Sequence, residues 1–268
     1  MTGSAVLADR NTALLSWFEA NARDLPWRQT PDPYPVLVSE VMLQQTQVSR
    51  VIPKFKSFMA LWPSVESLAV AETDELLTAW SGLGYNSRAL RLRDATRVIA
   101  AHGWPGSVRG LEDLPGVGPY TAAAAGSIAF GINVPALDTN LRRVLSRWAG
   151  QPLSRGSLED FAFEVVGSPA GDWNQALMDL GSAVCTPKEP TCGSCPVSTW
   201  CADPAVYESP PRQSAFEGSH RQLRGALVKA HLEGRDLHRA GKNLGRTDTE
   251  IEKTLDALHS EGLVRADR

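Results

Sequence analysis

A mainly α-helical fold is what this sequence predicts, on three observations. Apolar residues recur at helical spacing along most of the chain, strand-like alternation is scarce, and all four cysteines crowd into one run, Cys185, Cys192, Cys195 and Cys201. With 268 residues, 43% of them hydrophobic and 21% charged, the chain has material for sizeable cores in two or three compact units. The first ten residues lack an apolar signal core. The longest small-apolar run, Ala122 to Ile132, is interrupted by Gly126 and Gly131 and is too short to cross a bilayer, so the cytoplasm is the expected compartment. A net charge of −3 means that a nucleic-acid partner would have to be held by a local basic patch.

In chain order, Asp9 caps a first helix whose Leu14, Leu15, Trp17 and Phe18 share a face, and Thr73 caps another carrying Leu76, Leu77 and Trp80. Ser157 and Asp160 resemble a capping box ahead of Phe161, Phe163, Val165 and Val166, and Asn174 to Val184 is a compact helix that runs into Cys185. The stretch from Asp203 to Gly218, with Pro204, Pro210 and Pro211, reads as a linker. After it, Leu223, Ala226, Leu227 and Ala230 form one stripe. Thr247 and Glu250 box a second stripe of Ile251, Leu255 and Leu258, which Gly262 ends before Leu263 and Val264. Two or three short helices and a β-like end suggest a winged-helix module.

Between these helices lies Leu114-Pro115-Gly116-Val117-Gly118-Pro119-Tyr120-Thr121. Gly116 and Gly118 allow a tight turn with consecutive N–H groups exposed, and Pro119 suits a first helical position; such a turn cups a phosphate, or else simply connects two helices. Twenty residues on, Asp138-Thr139-Asn140 leads into a helix where Arg143 and Arg147 share one face, a geometry that fits phosphates or a solvated surface. Arg142 lies about 100° away around the helix. Asp138 and Asn140 read as helix-start residues or as site groups. Glu40, flanked by Val38, Val41, Met42 and Leu43, risks desolvation, which favours the protonated acid and makes it able to donate. The cysteine spacing, one close pair with a wider-spaced ligand on each side, favours a cubane iron-sulfur cluster over zinc and over free thiols or disulfides.

Leu25-Pro26-Trp27-Arg28, Asp32-Pro33-Tyr34, Ser39 to Val48, Gly82-Leu83-Gly84-Tyr85, Leu114 to Thr121, Asp138-x-Asn140, Asn174 to Gly181 and the cysteine run together closely resemble the adenine DNA glycosylase (MutY) family of the helix-hairpin-helix, endonuclease III superfamily. The run Met42-Leu43-Gln44-Gln45-Thr46-Gln47 is the most specific of these motifs. The hairpin and cysteines identify only the superfamily. The resemblance implies an iron-sulfur cluster domain (1–30 and 135–205), a six-helix barrel domain with the hairpin (31–134), a linker (206–219) and the winged-helix-like module (220–268). It implies one [4Fe-4S] cluster on the four cysteines, with a monovalent cation at the hairpin as a further candidate, and a monomer, associated with the nucleoid, acting on double-stranded DNA with an adenine mismatch.

By the same resemblance, Glu40 protonates adenine at N7 and then helps position water, Asp138 stabilises the cationic sugar, and Asn140 orients them. Tyr120 stands where bifunctional relatives carry a Schiff-base lysine, so base release without β-lyase cleavage is expected. Gln45 and Tyr85 fill the vacated stack, Trp27 and Arg28 line the pocket entrance, Gln175 contacts the base, and Arg88, Gly116, Gly118, Arg143 and Arg147 meet DNA. Trp27 and Tyr85 read equally as core aromatics on their own. Asn86 stands where members often have a second tyrosine. The 67 residues after Cys201 are too few for the Nudix-like domain that recognises 8-oxoguanine in many relatives and look more like the short ends of actinobacterial members. Its four histidines, His220, His231, His238 and His259, read as surface residues. Two other functions compete: a mismatch thymine or uracil glycosylase, and a non-enzymatic iron-sulfur DNA-binding regulator.

Overall fold

The structure is a computed structural model describing residues 3–207 and 214–265. Its helices are α1 (Gly3–Asn21), α2 (Pro33–Leu43), α3 (Val48–Leu61), α4 (Val65–Ala69), α5 (Thr73–Trp80), α6 (Ser87–His102), α7 (Val108–Glu112), α8 (Pro119–Phe130), α9 (Thr139–Ala149), α10 (Arg155–Val165), α11 (Ala170–Ala183), α12 (His220–Leu232), α13 (Leu237–Lys242) and α14 (Asp248–Ser260). Among the described residues there is no strand, and no helix is long and apolar enough to cross a membrane. The chain divides into two compact units, Met1–Glu40 with Trp104–Pro211 and Val41–Gly103 with Arg212–Arg268.

The first unit is built around α9 and α11. Leu141, Val144, Leu145 and Trp148 of α9 pack with Trp173, Ala176, Leu177 and Leu180 of α11, Leu14 of α1, and Leu158, Ala162 and Val165 of α10. The half-buried Cys185, Cys195 and Cys201 close one end of this core. The alanine run of α8 lets α11 approach closely: a Cβ on Gly171 would meet the Ser127 carbonyl oxygen at 2.7 Å. Helix α1 starts at Gly3, so Asp9 lies inside it rather than at its cap. Helix α10 is boxed by Ser154 and Ser157, three residues before the expected pair, and Phe163 is 56% exposed rather than part of the buried stripe.

The second unit packs Val51, Phe55 and Phe58 of α3 against Leu76, Leu77 and Trp80 of α5, with the Phe58 ring 4.8 Å from Trp62 and 6.0 Å from Trp80 between centroids. Glu72 rather than Thr73 takes the α5 cap position, and the Thr73 hydroxyl accepts from Arg93 instead (2.9 Å). The C-terminal segment belongs to this unit. Its expected capping box at Thr247 and Glu250 is present, and Leu223, Leu227, Ile251, Leu255 and Leu258 are buried. Leu263 and Val264 are buried but form no strand, which corrects the β-like end. Of the linker, residues 208–213, including Pro210 and Pro211, lie outside the described residues. The histidines split: His220 and His238 are exposed, whereas His259 is half-buried and His231 is half-buried at 3.7 Å from the Asp74 carboxylate of α5, a contact that ties the segment down.

Candidate active site and cysteine centre

Glu40 sits near the end of α2, 5% exposed, and burial pushes its carboxyl up to about 7. A hydrogen bond from Tyr120 and the Arg28 guanidinium oppose that rise, and the Asp138 charge adds to it. Its Oε2 is buried without a hydrogen-bond partner. An orphaned carboxylate oxygen would cost several kcal/mol, on the order of the penalty for a buried charged group, whereas a protonated carboxyl has an O–H ready for an acceptor.

Asp138 has the opposite surroundings. As N-cap of α9 it accepts from the Leu141 N–H (2.7 Å) on Oδ1 and from Asn140 Nδ2 (2.9 Å) on Oδ2, so both oxygens act as acceptors. Burial raises its pKa, and these donors together with Arg143 pull against that rise. Asp138 is thus both cap and site group. The loop that delivers it is fixed by Asn174, fully buried in α11, which accepts from Ala136 N–H and donates to Val134 C=O and Ser127 Oγ, all at 2.9 Å. Tyr120, in the first turn of α8, couples the acids: Glu40 and Asp138 both raise its phenol pKa, which burial already lifts well above the ordinary value. Its hydroxyl also lies 4.0 Å from Met178 Sδ.

Several supporting residues were not anticipated. Asp179, 2% exposed, holds Arg28 through a two-pronged pair (2.7 and 3.0 Å) and also takes Arg23 (2.6 Å), fixing the cation whose field reaches Glu40. The Asn174–Gly181 motif marked this helix, but its periodicity gave no hint that its carboxylate faces two arginines. Gly181 matters by size, since a Cβ there would sit 2.7 Å from Asn140 Cβ and 3.2 Å from Arg143 Nη2. Gly181→Ala should therefore push Asn140 off Asp138, destabilise the protein by about 1–3 kcal/mol and slow single-turnover base release; melting curves and release rates measured together check this.

Arg143 and Arg147 correct the phosphate-facing expectation. Arg143 donates to Asn140 Oδ1 (2.9 Å) and to the carbonyls of Gly181 (2.6 Å) and Cys185 (2.8 Å). Arg147, 2% exposed, donates to Cys185 Sγ (3.0 Å) and to the carbonyls of Thr186 (2.9 Å), Pro187 (3.0 Å) and Val206 (3.0 Å). The Arg147 guanidinium is given to the cysteine loop, that of half-buried Arg143 is shared between Cys185, Asn140 and Gly181, and the exposed arginine of α9 is Arg142. In the hairpin, Gly116 has φ +75°, where glycine is needed, while Gly118 at φ −92° could be any residue.

All four cysteines line one pocket of about 70 Å³, unpaired by disulfides. Burial and the three neighbouring thiols push Cys201 up to about 11, so together these groups are poorly suited to remain a set of bare thiolates. Among the described residues no three His, Cys, Asp or Glu side chains form a group able to hold a single metal ion. Four soft sulfur donors lining a common pocket are a donor set that suits a soft metal centre, zinc or an iron-sulfur cluster alike.

In the second unit, Gln45 (φ +56°) and Tyr85 (φ +49°) are the two non-glycine residues with left-handed backbone among those described, and both are exposed. Arg88, expected among the DNA contacts, is half-buried and turned toward backbone carbonyls. It donates to the carbonyls of Val41 (2.6 Å), Gln44 (2.8 Å), Leu83 (3.0 Å) and Gly84 (3.0 Å), bracing both turns. Trp27 is buried and Gln175 half-buried in the first unit.

A family model for HhH-GPD superfamily base excision DNA repair proteins matches residues 38–156. The chain is 41% identical over 244 residues to the adenine DNA glycosylase of Mycobacterium tuberculosis (strain ATCC 25618 / H37Rv), covering 85% of this chain and 79% of that one. It is 42% identical over 209 residues to human adenine DNA glycosylase, covering 70% of this chain but 38% of the longer human protein. Among solved structures, a thermostable thymine-DNA glycosylase aligns with a TM-score of 0.69 at 29% identity, over 75% of this chain and 98% of that one. A trapped endonuclease III–DNA covalent intermediate, an estranged-adenine complex, aligns at 0.63 and 21% identity, over 76% of this chain and 98% of that one, and shares the fold. By sequence and fold, the chain belongs to the adenine DNA glycosylase family of the helix-hairpin-helix superfamily.

Proposed function

We propose that the chain is a monofunctional glycosylase that extrudes adenine mispaired with 8-oxoguanine or guanine from duplex DNA and hydrolyses its N-glycosidic bond. The observation that carries this reading is the contrast between two coupled carboxyl groups: Glu40 buried with an orphaned oxygen and raised to about 7, Asp138 with both oxygens accepting hydrogen bonds. Stacked adenine is inaccessible to such groups, so the base must leave the helix first. Protonated Glu40 gives its proton to N7, which makes adenine a neutral leaving group; the resulting carboxylate then orients the attacking water. Asp138, as a carboxylate, stabilises the positive charge that develops on the sugar. Tyr120 holds Glu40 and, being a phenol, forms no imine with the sugar, so strand cleavage is not part of the reaction.

Cys185, Cys192, Cys195 and Cys201 would hold a [4Fe-4S] cluster, which when bound ties the loop from Cys185 to Cys201 to the core. Arg147 and Arg143 brace the loop and, through Asn140, join it to Asp138.

Single-turnover release from duplexes pairing adenine with 8-oxoguanine, guanine, cytosine and thymine, with a thymine–guanine duplex alongside, tests the assignment. Adenine release opposite 8-oxoguanine and guanine is expected. Thymine release without adenine release would replace it with the alternative suggested by the thymine-DNA glycosylase likeness.

A further inference from the structure

At the start of α6, the Arg88 guanidinium is shared between two turns of the second unit that come from separate parts of the chain. Its Nη1 donates to the carbonyls of Val41 (2.6 Å), Met42 (3.3 Å) and Gln44 (2.8 Å), at and just past the C-terminal end of α2, where helical carbonyls lack intrahelical partners. Its Nη2 donates to the carbonyls of Leu83 and Gly84, both at 3.0 Å, in the turn after α5. The guanidinium carbon lies 5.4 Å from the Trp80 ring and 5.7 Å from the Tyr85 ring, and the Trp80 indole N–H donates to the Gly84 carbonyl at 3.1 Å. For the cation itself the placement is unfavourable: burial pulls its pKa down to about 10, and Nε is buried without a hydrogen-bond partner. What it secures is the backbone next to two left-handed, non-glycine residues, Gln45 one position past Gln44 and Tyr85 one past Gly84, both exposed. Strain of that kind persists where the surroundings over-determine it.

We propose that Arg88 is a positioning residue for base extrusion, which ties the Gln45 and Tyr85 turns into one rigid wedge so that the two exposed tips open the base stack together. It acts from within, through carbonyls, and touches no nucleotide. Opening a stack is unfavourable, and a tip that yields under the load cannot hold the stack open. On independent turns, Gln45 and Tyr85 would each relax toward ordinary backbone when pressed; with both turns on one guanidinium, neither moves without drawing the donor away from the other. Capping α2 would require the Nη1 contacts alone, so the Nη2 contacts to the second turn are the coupling. They call for a planar fork, since a lysine ammonium is a single point that can serve one turn and must release the other. Arg221 meets the Tyr85 hydroxyl at 3.4 Å, at the far end of the ring, and leaves the backbone conformation to Arg88. The inference rests on the proposed extrusion of adenine, but its test does not need turnover.

Extrusion by the full-length, iron-loaded protein would be followed in stopped flow from the fluorescence of 2-aminopurine beside a non-cleavable 2′-fluorinated deoxyadenosine. That adenine is paired with 8-oxoguanine in one duplex and set opposite a tetrahydrofuran abasic analogue, where no pairing holds it, in a second. Arg88→Met and Arg88→Lys should each slow extrusion from the paired duplex by about 10-fold or more and from the second by less than about threefold. Equal slowing on both duplexes, no slowing on the paired one, or full rescue by Arg88→Lys would each overturn the proposal. A double-mutant cycle over Gln45→Ala and Tyr85→Ala separates coupling from general weakening. With Arg88 present, the two losses in extrusion rate should depart from simple multiplication by about threefold or more, and in the Arg88→Lys background they should multiply. Losses that multiply in both backgrounds, or depart equally in both, would sink the coupling. A wild-type protein that extrudes adenine without releasing it removes the catalytic assignment and leaves this one standing.

Discussion

Glu40→Gln is expected to lower adenine release by about 10³-fold, within the range for removal of a general acid, while DNA affinity stays within about twofold. The amide matches the carboxyl in shape and can still accept from Tyr120, so the pocket is preserved; what disappears is the transferable proton. The pH profile supplies an independent readout. The folded-state pKa of Glu40 is raised to about 7, so the protonated acid dominates below that value and the release rate should fall as pH rises through it. Linkage gives stability the same sign: the native state holds this proton more tightly than the unfolded chain. The contribution is therefore fully present below the ordinary glutamate value and is lost as pH rises through about 7. Single-turnover rates and melting midpoints collected from about pH 5.5 to 9 should show both trends in the wild type and neither in the variant. A Glu40→Gln protein that keeps the wild-type rate and alkaline limb would place the acid elsewhere.

That the Glu40 carboxyl is buried and its pKa raised was legible because the cause is local: Val38, Val41 and Met42 flank it on the same buried helix. The Thr247 and Glu250 box was legible for the same reason, since its partners are three residues apart. The arginines of α9 were misread because spacing says that Arg143 and Arg147 share a face but not which face turns inward. The inward choice is made by carbonyls of the cysteine loop about forty residues downstream, and a buried guanidinium is tolerable only because that loop supplies acceptors for it. Asp179 was missed likewise, as its partners Arg23 and Arg28 lie some 150 positions upstream. The docking of the C-terminal segment on α5, marked by His231 and Arg265 converging on Asp74, is equally non-local; composition suggested a module beyond a linker and had no means of showing where it packs.

Arg147→Leu should produce the largest loss of stability, about 3–5 kcal/mol. Leucine fills part of the space but leaves Cys185 Sγ and the carbonyls of Thr186, Pro187 and Val206 without their donor in a site sealed from water. For a protein of this size that corresponds to a melting midpoint lower by about 10 °C. The iron bound per chain should fall with it, because the loop bearing the ligands loses its brace. Arg147→Lys should recover less than half: an ammonium offers three donors at one point and cannot span acceptors that a planar guanidinium reaches together. Arg142→Ala supplies the contrast from the same helix. The residue is exposed, so its loss should cost much less stability than that of buried Arg147, while DNA binding should weaken and the salt dependence shrink by about one phosphate contact. Calorimetry, iron analysis and binding at several salt concentrations separate the two. If Arg147→Leu melts like wild type and instead loses the salt-dependent contact, then Arg147 faces the phosphates after all, and the cysteine loop is held by something other than the guanidinium buried beneath it.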